Sequence, residues 1–178
     1  MTLNYQKAGY LPLQRHEDIP WRDFIWLPDV VMQAADPHGV AVDLSAVTMQ
    51  VVQSSVVTDT DGTRQATLLI PPGTQATLIF AGGVTQTLST FHVRSTEYTV
   101  GERGPEAMPG ELPPQSGYTY ATEYTVDEAV AAGALNVSFS QPLIHYSHNF
   151  LGFPVVSANI LNSAPACRTS ANARIQLG

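Results

Sequence analysis

Two runs in the middle of the chain alternate between apolar and polar positions. They cover Phe91 to Val100 and Tyr118 to Val126. Both are rich in β-branched and aromatic residues, and a period of two in such residues predicts half-buried strands. In the second run Tyr118, Tyr120, Thr122, Tyr124 and Val126 fall on one face, and Thr119, Ala121, Glu123 and Thr125 on the other. Shorter alternating stretches precede them. Asp29–Gln33 predicts a short strand, Val47–Val51 continues into Val52–Val57, and Gln65–Ile70, Gln75–Phe80 and Val84–Leu88 follow.

Turn residues punctuate these stretches at Asp36-Pro37-His38-Gly39, Asp61-Gly62, Pro71-Pro72-Gly73 and Gly82-Gly83. Asp61-Gly62 between apolar strands predicts a hairpin with both residues at positive φ. Turns recurring at intervals of about 8–12 residues predict an all-β fold, here an antiparallel β-sandwich spanning residues 29–155. Asp127–Gly133 is the one helical segment, with Asp127 as its expected cap and Gly133 at its left-handed end. Asn136–Ser140 and Leu143–Ser147 read as strands interrupted at Pro142.

Residues 1–28 read as an extended arm. Tyr10, Trp21, Phe24 and Trp26 lie in it, interrupted by Pro12, Pro20 and Pro28, which oppose a helix. Such an arm docks on a neighbouring subunit or covers an edge of its own sandwich. The Pro/Gly-rich segment from Gly101 to Gly117 excludes helix and central strand, and predicts an ordered crossover or a functional loop. Residues 156–178 predict an extended tail that can pair at an edge or be swapped.

Composition narrows the function. Charged residues make up 13% of the chain, and 8 Lys plus Arg against 15 Asp plus Glu give a net charge of −7. There is no basic run to neutralise phosphates, so nucleic-acid binding is not expected. Cys167 is the single cysteine, which rules out an internal disulfide framework and a cysteine-rich zinc site. The N-terminus lacks the apolar core of a signal peptide, and no apolar run approaches the roughly 18 residues that would span a bilayer. The expectation is a soluble chain without membrane insertion or its own export address.

One set of motifs resembles a known family. Ser95–Gly101, Gly104–Pro109, Leu112–Pro114, Ser116–Ala121, Val126–Ala129 and Asn149–Val155 together are similar to the β-rich module upstream of the repeats in bacterial RHS/YD-repeat proteins. These are large secreted or surface proteins, and the similar segment covers residues 57–155. The resemblance implies a non-catalytic structural module and supplies no catalytic residue. Asp36–Ser45, within residues 1–55, is similar to a stretch of some phage tail-associated proteins.

The remaining chemistry has a small number of candidates. Tyr98, Tyr118, Tyr120 and Tyr124 form either an aromatic platform for a glycan or core positions. Glu97 and Glu123 on the two main strands are a candidate carboxylate pair for hydrolysis. His145 and His148, three apart, would face opposite sides of a strand and lack a third ligand, so no metal is expected. No cofactor is expected, and Cys167 reads as a spectator thiol. The function predicted is therefore a structural or interaction module that contacts itself or assembly neighbours, with a homo-oligomer through arm or tail. Glycan binding and carboxylate-pair hydrolysis are the alternatives.

Overall fold

A computed structural model describes residues 1–27, 29–110, 120–152 and 174–175. The N-terminal segment is not an extended arm throughout. Thr2–Tyr5 (β1) and Leu13–His16 (β2) pair antiparallel, with Thr2 opposite His16, so the segment begins with a hairpin. Its strands are only four residues long, too short for alternation to stand out. The expected strand at residues 29–33 is absent. Instead the Leu11 N–H donates to the Gln33 carbonyl, and the Ala35 N–H donates to the Gly9 carbonyl.

The sandwich strands follow in order: β3 (Gly39–Asp43), β4 (Gln50–Gln53), β5 (Val57–Asp59), β6 (Gly62–Arg64), β7 (Thr67–Ile70), β8 (Ala76–Ile79), β9 (Thr85–Leu88) and β10 (Thr90–Glu97). After the crossover come β11 (Thr122–Val126), helix α1 (Asp127–Ala132), β12 (Asn136–Phe139), β13 (Ile144–Tyr146) and β14 (Arg174–Ile175). One sheet has the order β3-β10-β11-β14-β12-β8-β9; a second has the order β13-β7-β4. β5 and β6 form a separate ribbon. The fold is all-β and sandwich-like with one lone α-helix among the described residues. The stretch from Val47 to Val57 is two strands rather than one, and Val47 and Met49 lie exposed before β4.

The main core lies between these sheets. Val52, Leu68 and Ile70 from the smaller sheet meet Val42, Leu78, Phe91, Val93, Tyr124, Val126 and Val137 from the larger one. Full burial of a side chain such as Phe91 contributes about 1.5–3 kcal/mol. A second, smaller core joins Leu11, Tyr98, Ala107 and Met108, with Val31, Ala35 and Ala121 against it. It lies where the N-terminal segment and the start of the crossover cover the outer face of β10. The crossover approaches closely there. A Cβ on Gly104 would stand 2.8 Å from the Thr99 carbonyl carbon, so only glycine fits.

Three local expectations change. At the β5–β6 turn Asp59 pairs with Gly62, so Thr60 and Asp61 form the connection. Gly62 alone carries the positive φ, +121°. Helix α1 begins where expected, but its N-cap is Val126 without a side-chain cap bond. The Asp127 carboxylate instead binds Arg94 through two contacts of 2.7 and 2.9 Å. In the tail, β14 lies inside the large sheet, antiparallel to β11 and parallel to β12, rather than on its edge.

Candidate functional site

Strand β10 divides the predicted site residues between two faces. Its register with β11 sets Ser95 opposite Tyr124, Thr96 opposite Glu123 and Glu97 opposite Thr122. Directly opposed residues share a face and successive residues alternate, so Glu97 and Glu123 project to opposite sides of the sheet. The candidate carboxylate pair is therefore not assembled. Glu97 points inward with Tyr124. Glu123 points outward, where it accepts the Tyr98 hydroxyl.

The inner side holds a charge cluster that sequence reasoning missed. Arg64, 2% exposed, donates from Nε to Glu97 at 2.6 Å. It also forms a two-pronged contact with Asp59 at 2.7 and 2.8 Å and donates to the Thr99 carbonyl at 2.8 Å. The Phe150 ring lies 4.8 Å from the guanidinium carbon. Hydrogen bonds from Arg64 hold the Asp59 carboxyl well below the usual carboxylate range. Burial pushes Glu97 up, while Arg64 and the Thr99 hydroxyl pull it back. The fork geometry of guanidinium suits this double carboxylate contact, which a lysine would not reproduce. Asp59 lies five residues before Arg64 across the β5–β6 hairpin, which is the one local hint of the cluster, whereas Glu97 is 33 residues away.

The tyrosines do not form one surface. Tyr98 is buried in the smaller core and Tyr124 in the main one. The Tyr124 hydroxyl lies 2.5 Å from Nδ1 of His145, and burial raises its pKa. Tyr120 is half-buried and stacks on His145, with ring centroids 6.2 Å apart. His145 is exposed on one side while its ring lies against these tyrosines; desolvation lowers its pKa. Tyr118 lies outside the described residues, as does Cys167. Among the described residues no cluster of His, Cys, Asp or Glu with metal-binding geometry occurs.

The N-terminal aromatics behave differently from one another. Tyr10 is half-buried, bridged to Ala34, with the Lys7 ammonium 4.0 Å from its ring. Trp21, Phe24 and Trp26 are 87%, 87% and 95% exposed. A tight turn presents them. The Asp23 N–H donates to the Pro20 carbonyl, Arg22 takes φ +60°, and the Phe24 N–H donates to the Asp23 carboxylate. Arg22 also lies over the Trp21 ring at 5.6 Å. A positive φ is uncommon for a residue with a Cβ, so this turn has a defined shape. Ile19 and Leu27 extend the apolar surface on both sides.

Comparison with known proteins adds no relative: no family model, curated protein or solved structure matches the chain.

Proposed function

We propose that this chain is a non-catalytic interaction module that joins a larger surface, secreted or virion-like assembly by burying residues 19–27 on a neighbouring subunit. The observation that carries this reading is the exposure of Trp21, Phe24 and Trp26, the most exposed aromatic rings among the described residues, beside a domain with two apolar cores. Each such aromatic has about 150–250 Å² of surface to bury. An apolar cluster of this kind on a folded domain marks an interaction site. The resemblance of residues 57–155 to the module upstream of RHS/YD repeats supports a structural role. The burial of Tyr98 and Tyr124 in two separate cores leaves the glycan platform without comparable support, and the opposed faces of Glu97 and Glu123 do the same for the hydrolase.

The test compares the full chain with a Trp21→Ser, Phe24→Ser, Trp26→Ser variant by multi-angle light scattering across a concentration series. The reading expects the variant to show a smaller mass and an unchanged far-ultraviolet β spectrum. Equal masses at every concentration would overturn self-association through this segment.

A further inference from the structure

We propose that the outer edge of β9, unpaired among the described residues, is a second, independent self-association surface, on which β9 of another copy pairs antiparallel about a two-fold axis through Gln86. The ladder fixes which backbone groups are available. The Phe80 N–H donates to the Val84 carbonyl at 2.8 Å, and β9 pairs with β8 as Ala76–Leu88, Thr77–Thr87, Leu78–Gln86 and Ile79–Thr85. Hydrogen-bonded and non-hydrogen-bonded pairs alternate along an antiparallel ladder. Val84, Gln86 and Leu88 therefore bond inward to β8. Thr85 and Thr87 direct their N–H and C=O groups away from the sheet. The next residue in that series, Ser89, follows the same phase: its carbonyl is taken by the Leu44 N–H at 3.0 Å. This contact ends the free edge at Leu88.

Edges of this kind are normally blunted by charge, proline or a covering segment. Here no Asp, Glu, Lys or Arg lies between Arg64 and Arg94, and β9 itself holds no proline. At the opposite edge of the same sheet one side chain caps the backbone groups of Asp43. The Gln50 side chain accepts the Asp43 N–H of β3 and donates to its carbonyl. On β9, Thr85, Gln86 and Thr87 are exposed and Val84 is 63% exposed.

The sequence of the edge selects a second copy as occupant. Val84-Thr85-Gln86-Thr87-Leu88 reads nearly the same from either end about Gln86. An antiparallel partner centred there sets Thr85 against Thr87, Thr87 against Thr85, and Val84 against Leu88. Both Thr pairs use the outward groups and form hydrogen-bonded pairs. The two Gln86 residues meet as a close non-hydrogen-bonded pair, with Cα atoms about 4.5 Å apart. Threonine pairs and apolar pairs of this type favour sheet pairing.

The experiment is sedimentation equilibrium on the full chain and four variants. Thr87→Pro removes an outward N–H and leaves the inward bonds of β9 to β8, and Gln86→Lys sets two like charges on the axis. Each is expected to weaken dimerisation about tenfold or more. Mixing Gln86→Lys with Gln86→Glu should restore the pair as a heterodimer, which a mere folding defect would not do. Unchanged dimerisation in both single variants, no recovery on mixing, or a wild-type chain that stays monomeric would overturn the proposal. The Trp21→Ser, Phe24→Ser, Trp26→Ser variant should keep the β9 dimer, so failure of this surface and failure of the aromatic segment are read separately.

Discussion

Two regions of the molecule invert the usual placement of side chains. Around Arg64 a fully charged guanidinium is buried between the sandwich and the β5–β6 ribbon, and each of its nitrogens has a partner. At residues 19–27 three large aromatic rings stand in water with only Arg22 stacked on one of them. Burying a charge is costly unless pairing and hydrogen bonds compensate it. The first region meets that condition within the chain. The second leaves its apolar surface in water, and the proposed docking on a neighbouring subunit would cover it. In the proposed reading the difference separates stability from recognition: one region is satisfied within the fold, while the other is left exposed.

The largest expected effect breaks the buried side of this contrast. Arg64→Ala leaves Glu97 and Asp59 without their counter-charge, and the cost should be about 3–5 kcal/mol. Denaturant unfolding would measure it. Adding Glu97→Gln to Arg64→Met should recover part of the loss, because the buried carboxylate is neutralised. A cost under about 1 kcal/mol for Arg64→Ala would mean the cluster is solvated in solution.

Gly62→Val comes next. Gly62 takes φ +121°, and an added Cβ would lie 3.7 Å from the Phe150 carbonyl oxygen. The space is adequate but the backbone is strained for a β-branched residue, so thermal melting should report about 1–3 kcal/mol of destabilisation. The same change would shift Asp59 relative to Arg64.

A smaller effect appears with pH. The folded pKa of His145 is lowered, so the unfolded chain takes up a proton first as pH falls. The stability linked to His145 is thus fully present above its ordinary value near 6.5 and is lost as pH falls through the folded value. Asp59, also lowered, acts further down: its contribution is present above the ordinary Asp value of 3.8 and is lost as pH falls through its folded value. His145→Asn should flatten the melting-temperature profile just below pH 6.5 and leave the acid limb in place. A profile that keeps its slope in that window would assign it to another group.

The smallest effect on stability is expected at the exposed side. Trp21→Ser, Phe24→Ser and Trp26→Ser should each alter the unfolding free energy of the monomer by no more than about 0.5 kcal/mol. A large loss would show that the segment packs on its own domain and would remove the contrast.

Much of the architecture was legible in alternation and turn residues. β7, β8, β9, β10 and β12 lie where period two and flanking Gly or Pro set them, and Gly133 ends α1 at φ 69°. The inward position of Tyr124 and Val126 also followed from their shared parity. Glu123 did not. Its burial depends on the Tyr98 hydroxyl and on the cover over the outer face, which are tertiary facts. The carboxylate pair failed because parity within each run says nothing about the register between runs. Thr96, rather than Glu97, stands opposite Glu123. For Arg64 the local signal is limited to Asp59 across the same hairpin, because its other carboxylate partner, Glu97, comes from β10, four strands later. Trp21, Phe24 and Trp26 were legible as an aromatic, proline-flanked segment, whereas the short β1–β2 hairpin beside them was not.

The most direct test of the recognition claim uses the chain's own reporters. Its two tryptophans are Trp21 and Trp26, both in the exposed segment, so all tryptophan emission comes from there. Emission and iodide quenching should be followed across a dilution series of the full chain, with the Gln86→Lys background included to remove pairing at β9. Water-like emission and full quenching are expected at low concentration, then a blue shift and protection as subunits associate. Emission that is already blue-shifted and protected in the dilute monomer would contradict the recognition claim, because the segment would then be buried on its own domain.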